Sequence, residues 1–366
     1  MKLTGIDDIF SDPSKCPNMR CYRYVLNEFE NNGYFDEDTK GISEVEIKQK
    51  EVDNITLWND QIDNEDIIQA AKDACIHDDI LKKDNAYEEL LEDSAVDAVY
   101  IANPHAFHFE SVIACLNAGK HVLCEKPAGC SREQLDKMIN LARSKNLFFM
   151  EAMWTAFNPC IAKIKEIIAD GKIGKIKHIE SHFCNRIAYD PKNRLYAPEL
   201  AGGALLDLGI YNIYFAMMIN DFSPIRERSS NVRLLNGVDV WNSVNLTFEN
   251  GVTTSFQSAC DRPAGSNSHD AIIYGEKGFI TAENFFFAQK ADLHTYINTW
   301  GNENEITETI NEPFSVNGYE YEVQAATDHI LKGELESSVH PHSHSIALCK
   351  IMDELRKDWN MKYPFE

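Results

Sequence analysis

Beyond residue 95 the apolar positions switch repeatedly between two periods. Ala95 to Ala102 is a short β-rich run, and Asn103-Pro104 stops it. Val112, Ile113 and Leu116 follow at helical spacing, and Gly119 ends that helix. His121-Val122-Leu123-Cys124 predicts a buried strand closed by Glu125-Lys126-Pro127. Ser131-Arg132-Glu133-Gln134 is a capping-type start, and Leu135, Ile139 and Leu141 supply the apolar face of a helix that runs to about Lys145. Leu147 to Met150 is the next strand. Strands and helices alternating at this pitch predict parallel βαβ units with right-handed crossovers.

Upstream the pattern weakens. Asn54 to Trp58 reads as one more strand, Ile67 to Ala74 as a helix, and Tyr87, Leu90 and Leu91 as a further helical turn. Residues 1–53 hold no comparable unit, although Cys21 to Phe29 has helical character and Val45-Glu46-Ile47 extended character. Downstream of Trp154 the order changes, with helices expected over 157–169 and 204–219 around a strand from Ile176 to Phe183. From Val232 to about Ile310 the chain is β-rich. Val244, Leu246 and Phe248 alternate with Asn245, Thr247 and Glu249, and Asn250-Gly251 reads as a type I′ turn. Tyr274 to Ile280 is a second strand–turn–strand. Such alternation describes an open, mainly antiparallel sheet with one face covered by helices. Helices over Tyr319–Leu331 and Ser343–Trp359 close the chain. The expected class is α/β: a parallel-sheet unit followed by an α+β unit.

Composition narrows the options. The 366 residues are 44% hydrophobic and 25% charged, inside the globular range. Apolar stretches such as Ile213 to Ile219 are far shorter than the ~20 residues of a membrane span. The first twenty residues contain Asp7, Asp8 and Asp12 and no apolar core beside Lys or Arg, so a cytoplasmic location is expected. A net charge of −23 argues against nucleic acid and anionic membranes as partners. Residues 1–80 carry nineteen Asp and Glu against eight Lys and Arg, so this segment differs in kind from the rest. The ten cysteines include no C-x-x-C pair, and Cys115, Cys124 and Cys349 sit in apolar surroundings as reduced core residues.

Lys126 stands at the carboxyl end of an expected parallel strand, where open α/β sheets place ligands. A single strand-end lysine is also a common solvated residue. It gains interest because His105 and His108 follow the preceding strand, and Glu151 and Trp154 follow the next. Asp207 and Tyr211 are four apart on an expected helix entered through Gly202-Gly203, a spacing that puts carboxylate and phenol on one face. Tyrosine ordinarily titrates at about 10, and a nearby ammonium favours its phenolate. Lys126 with Tyr211 is therefore a candidate acid/base couple for carbinol–carbonyl interconversion, with a core tyrosine as the plainer alternative. His340, His342 and His344 alternate as metal ligands do on an extended chain, but no cysteine or carboxylate pattern completes a site. Solvated histidines with Ser343 as a helix cap is the preferred reading. Ser266 and Ser268 near His269 read as a loop.

Val99 to Pro104, His108 four beyond the proline, and Gly119 to Pro127 together resemble the nicotinamide half of the glucose–fructose oxidoreductase and inositol dehydrogenase family, Gfo/Idh/MocA. Met150-Glu151-Ala152-Met153-Trp154-Thr155, the Asp190 to Leu195 segment, Gly202 to Tyr211 and the terminal Tyr363-Pro364-Phe365-Glu366 resemble its dihydrodiol and D-xylose dehydrogenase branch. The resemblance implies a Rossmann-like domain over residues 1–153, with a degenerate, acidic N-terminal unit. A substrate and dimerisation domain over 154–340 and a C-terminal helix over 341–366 packing back on the first domain would follow. It implies NAD or NADP as cofactor and hydride transfer to or from a sugar or trans-dihydrodiol carbon. Lys126 would orient the reacting oxygen, Tyr211 would exchange its proton, and Asp207 and His108 would position substrate. Asn103, Pro104, His105, Glu125, Lys126, Pro127 and Trp154 would line the cofactor, and Trp154, Phe157 and Arg194 the substrate. A homodimer through the open sheet is also implied.

One departure matters. Residues 1–80 contain only Gly5, Gly33 and Gly41, so the G-x-G-x-x-G loop that cradles a dinucleotide pyrophosphate is absent. This supports an alternative: a catalytically silent relative serving in small-molecule binding or assembly.

Overall fold

Three short parallel strands carry the end of the molecule where ligands are expected. The computed structural model describes Leu91 and residues 96–262, 268–298, 300–301 and 303–366. The expectations for residues 21–29, 45–47, 54–58 and 67–74, for Tyr87 and Leu90, and for Ser266 lie outside the described residues. Strand β1 (Ala98–Ile101) leads into helix α1 (His105–Asn117), which follows Pro104 directly. Strand β2 (His121–Glu125), helix α2 (Arg132–Ser144) and strand β3 (Phe149–Ala152) complete the pattern. The sheet order is β1-β2-β3, with Ala98 opposite His121 and Val122 opposite Phe149. All three strands therefore end on one edge, at Ile101, Glu125 and Ala152. The α2 start is capped as its sequence demands: the Gln134 N–H donates to Ser131 Oγ at 3.3 Å, and the Cys130 N–H donates back to Gln134 Oε1 at 2.9 Å.

A 3₁₀ turn over Trp154–Phe157 and helix α3 (Pro159–Ala169) lead to the second sheet. Its strands are β4 (Ile176–Cys184), β5 (Ile225–Leu235), β6 (Val238–Phe248), β7 (Thr253–Ala259), β8 (Ala271–Gly275), β9 (Gly278–Ala282), β10 (Lys290–Tyr296) and β11 (Asn304–Asn311). Their spatial order is β11-β10-β9-β8-β4-β7-β6-β5, and every pair except β4–β7 is antiparallel. Val244, Leu246, Phe248, Phe256 and Ile273 point to the buried face, while His178, Tyr274 and Phe279 lie half-buried on the other. That alternation is what a sheet with one covered face requires.

The cover is helix α4 (Ile210–Ile219), buried on all sides between β4, β7 and the C-terminal helix. Segment Pro198–Ile219 is long and apolar enough to cross a membrane by composition, yet it is enclosed by the rest of the fold. Its entry differs from the expected α-helix over 204–219. Leu205–Gly209 is a π-helical turn, a wider ring that often marks functional sites.

Helix α5 (Tyr319–Leu331) lies against the 154–157 turn and β2, and helix α6 (His342–Asp358) against α2 and β3. The Arg132 N–H donates to Asp353 Oδ2 at 2.8 Å, and Arg356 Nη2 donates to the Cys130 carbonyl at 2.8 Å. These bonds tie α6 to the start of α2.

Two local readings are corrected. The two-residue turn with positive φ at both centres is Asn236-Gly237, between β5 and β6 (φ 52° and 84°). At Asn250-Gly251 only the glycine has positive φ, and Asn250 Oδ1 instead accepts the Val252 N–H at 3.1 Å. The histidines at the start of α6 are not solvated: His340 is 1% and His342 3% exposed, and the residue before the first turn is Pro341 rather than Ser343. The chain enters the helix at His342, which directs these rings inward onto β3 and α4 rather than along one exposed edge. His342 Nε2 donates to the Phe149 carbonyl at 2.8 Å, and His344 stacks on Phe222 with ring centres 3.5 Å apart.

Candidate active site

The Lys126 ammonium gathers the site. Its peptide bond to Pro127 is cis, and the residue is 7% exposed. Nζ donates to the Asp207 carbonyl at 3.0 Å and to Asp207 Oδ1 at 3.1 Å, and it lies 4.8 Å from the centre of the Tyr211 ring. Arg194 Nη1 reaches the same carboxylate oxygen at 3.0 Å, and His105 Nε2 lies 3.8 Å from it. Elements far apart in sequence therefore converge: the end of β2, the first turn of α1, the loop before the π-turn, and the π-turn itself.

The π-turn explains how Asp207 and Tyr211 both face Lys126. Its approach is set by Gly202 and Gly203. A Cβ on Gly202 would stand 2.6 Å from the Arg194 carbonyl, and one on Gly203, at φ +119°, would stand 2.3 Å from Asp239 Oδ1. Asp239 is fully buried, and its Oδ2 accepts the Leu205 N–H at 2.9 Å and Asn242 Nδ2 at 2.8 Å. Beyond the helix start, Phe183 and Phe286 stack at 3.9 Å and wall the Tyr211 ring, with centres 5.7 and 5.6 Å from it.

Charges here are strongly coupled. Burial alone would raise the Asp207 pKa, but Arg194, Lys126 and His105 outweigh it and hold the carboxyl well below the usual range. Burial drives the His105 pKa well down, only partly opposed by Asp207, so the ring is neutral near pH 7. Burial also raises Asp239 to about 7, against the hydrogen bonds that favour its ionised form.

The remaining sequence candidates are distributed around this centre. His108 is fully buried, its Nδ1 2.8 Å from the Pro127 carbonyl and its Nε2 2.6 Å from the Asn103 carbonyl. Its ring thus braces the ends of β1 and β2 from within. Pro104 precedes α1. Glu125 bonds the Tyr100 hydroxyl. Arg194, expected to touch substrate, spends its guanidinium on Asp207. Trp154 stacks on Tyr319 of α5 at 4.5 Å, and Phe157 packs against the cluster of Leu123, Phe148, Met150, Ala152 and Ala326. The turn that carries Phe157 lies against α5. Asp239 was not singled out in the sequence, although an acid between Val238 and Val240 breaks an apolar run and is the signal that could have found it.

Two buried polar atoms at the strand ends have no hydrogen-bond partner among the described residues: Asn103 Oδ1, beyond β1, and Trp154 Nε1, beyond β3. Other buried atoms among the described residues share this state, Ser181 Oγ and Asn212 Oδ1 among them, but these two flank Lys126 on the carboxyl edge of the sheet. An acceptor and a donor so placed suit the amide and hydroxyl groups at the nicotinamide end of a dinucleotide.

Comparison with known proteins agrees. Residues 44–153 match the oxidoreductase family model for an NAD-binding Rossmann fold, and residues 161–281 match the Gfo/Idh/MocA C-terminal domain. The trans-1,2-dihydrobenzene-1,2-diol dehydrogenase of Bos taurus is 32% identical over 306 residues, covering 81% of this chain and 88% of that protein. The Homo sapiens protein of the same name is 32% identical over 303 residues, covering 81% and 87%. A 3-ketoreductase from Actinomadura kijaniata, crystallised with NADP and TDP-benzene, superposes with a TM-score of 0.64 at 25% identity over 74% of this chain and 81% of that one. An aldose-aldose oxidoreductase from Caulobacter crescentus shares the fold, with a TM-score of 0.66 at 18% identity over 81% of this chain and 86% of that one. Both halves match in order, and the chain belongs to the Gfo/Idh/MocA family of NAD(P)-dependent oxidoreductases.

Proposed function

We propose that this chain is a dehydrogenase for a trans-dihydrodiol or a related sugar hydroxyl, working through Lys126 and Tyr211. The observation that carries the reading is the placement of the Lys126 ammonium between the Asp207 carboxylate and the Tyr211 ring. The names of the diol dehydrogenase relatives and the NADP-bound ketoreductase support the substrate class. When bound, the nicotinamide supplies the hydride acceptor or donor. Asn103, Lys126 and Trp154 would hold that end of the cofactor. The Lys126 ammonium orients and polarises the reacting oxygen, and Tyr211 takes up its proton as the phenolate or returns it as the phenol. Asp207, clamped by Arg194, fixes the ammonium.

The open face of the eight-stranded sheet, with half-buried His178, Tyr274 and Phe279, supports a homodimer through that face, and sedimentation would measure it. All seven cysteines among the described residues are free, which supports a reducing, cytosolic setting.

The test is nicotinamide absorbance with NAD+ and with NADP+, offering trans-1,2-dihydrobenzene-1,2-diol and D-xylose to the purified chain. Turnover of either alcohol, lost on Lys126→Met, is the expected result. A folded protein that turns over neither with either cofactor overturns the reading.

A further inference from the structure

Pro127 has no N–H, so the turn that carries Lys126 can be gripped after the lysine only by the Pro127 carbonyl and the Ala128 amide. Both are taken. His108 Nδ1 lies 2.8 Å from the Pro127 carbonyl, and the Ala128 N–H donates to Glu151 Oε1 at 2.9 Å. Glu151 is 5% exposed, on a strand buried on both faces, an expensive place for a carboxylate. It persists there because a second buried network meets it. His340 Nε2 lies 3.2 Å from Glu151 Oε2, the Tyr214 hydroxyl lies 3.0 Å from His340 Nδ1, and Ser345 Oγ lies 2.9 Å from His340 Nε2. The ring thus bridges the two elements, meeting Glu151 and Ser345 through Nε2 and Tyr214 through Nδ1. These bonds of Glu151, His340 and Tyr214 reach neither Lys126 Nζ nor the Asp207 carboxylate, so the chemistry at the ammonium leaves them without a task.

We propose that Glu151, supported by His340, is a positioning residue for Lys126. It fixes the Ala128 amide, and through it the turn that delivers the ammonium to Asp207. Its bearing on turnover rests on the proposed role of Lys126; the geometric claim does not.

The test measures the acylation rate of individual lysines with acetic anhydride, read by mass spectrometry on the full chain. Lys120 is the internal reference, since it is equally buried and donates to the Val96 carbonyl at the opposite end of the sheet. Glu151→Met removes the acceptor at similar volume, and Lys126 should react about tenfold faster while Lys120 is unchanged, the size expected for one lost buried hydrogen bond. Glu151→Gln keeps an oxygen for Ala128 and should restore the slow rate at Lys126. Should Glu151→Met fail to fold, His340→Phe withdraws the support and should speed Lys126 by about threefold. An unchanged Lys126, or an equal rise at Lys120 that reports general loosening, overturns the proposal. In turnover of the diol, Glu151→Met should lower kcat by about tenfold or more with little change in KM, as misplacement of a reacting group does. If labelling moves as expected but Lys126→Met retains full activity, the role of Lys126 fails and the positioning stands.

Discussion

Lys126 Nζ and Asp207 Oδ1 stand 3.1 Å apart, and the same ammonium bonds the carbonyl of Asp207 at 3.0 Å. One residue thus holds the amine by both its side chain and its backbone, and the backbone contact survives substitution of the side chain. Asp207→Asn should fold but lose the charge that balances Lys126 and Arg194. Breaking a buried ion pair costs about 3–5 kcal/mol, so a fall of several degrees in Tm and a large loss of kcat are expected by calorimetry and steady-state kinetics.

Tyr211→Phe separates proton exchange from packing. The ring keeps its contacts with Phe183 and Phe286, so Tm should stay close to wild type. Turnover should drop by about 10²–10⁴, the usual contribution of a positioned acid or base. Unchanged kcat would remove Tyr211 from the chemistry.

Asp239 makes stability depend on pH with a sign opposite to that of most carboxylates. Burial raises its folded pKa to about 7, against about 4 in the unfolded chain. Between those values the folded state binds the extra proton, so the stability that Asp239 contributes at low pH is lost as pH rises toward 7. Asp239→Asn removes the ionisation while keeping an acceptor for the Leu205 amide. Its Tm relative to wild type should therefore be higher at pH 8 than at pH 5.

Acid acts on the other groups in the opposite sense. Burial depresses His105 and His342, and His344 is pushed down to about 4, so the unfolded chain binds protons first once pH falls below about 6.5. Asp207 is held well below the ordinary range despite burial, by Arg194, Lys126 and His105, and its contribution is lost only below about pH 4. A Tm series should fall from pH 7 to pH 4 and steepen below that.

Gly203→Ala places a Cβ 2.3 Å from Asp239 Oδ1 at a φ of +119° that an L side chain rarely adopts. Destabilisation of about 2 kcal/mol or more is expected from strain of this kind, measurable by denaturant unfolding.

The first three strands were readable because apolar runs were bounded by Asn103-Pro104 and Pro127, and local chemistry decides such boundaries. The cap at Ser131 was readable for the same reason. The Asn236-Gly237 turn was as available as Asn250-Gly251; both dipeptides look alike, and only the pairing of β5 with β6 puts positive φ at both centres of the first. Tyr211 and Asp207 emerged from their spacing, but the π-turn between them, and the pairing of Asp207 with Arg194, depend on Gly202 and Gly203 lying against residues brought from elsewhere. Buried His340 was unreadable because its partners, Glu151 and Tyr214, come from β3 and α4.

The proposed chemistry requires a nicotinamide dinucleotide beside Lys126, although residues 1–80 contain no glycine-rich loop. Calorimetric titration of the full chain with NADPH and with NADH, after checking by mass and absorbance that no nucleotide co-purifies, tests it most directly. Micromolar binding of at least one of them is expected, with stoichiometry of one per chain. No binding of either by a protein shown to be folded would contradict it, and would leave a relative that has kept the catalytic lysine and tyrosine without the cofactor they serve.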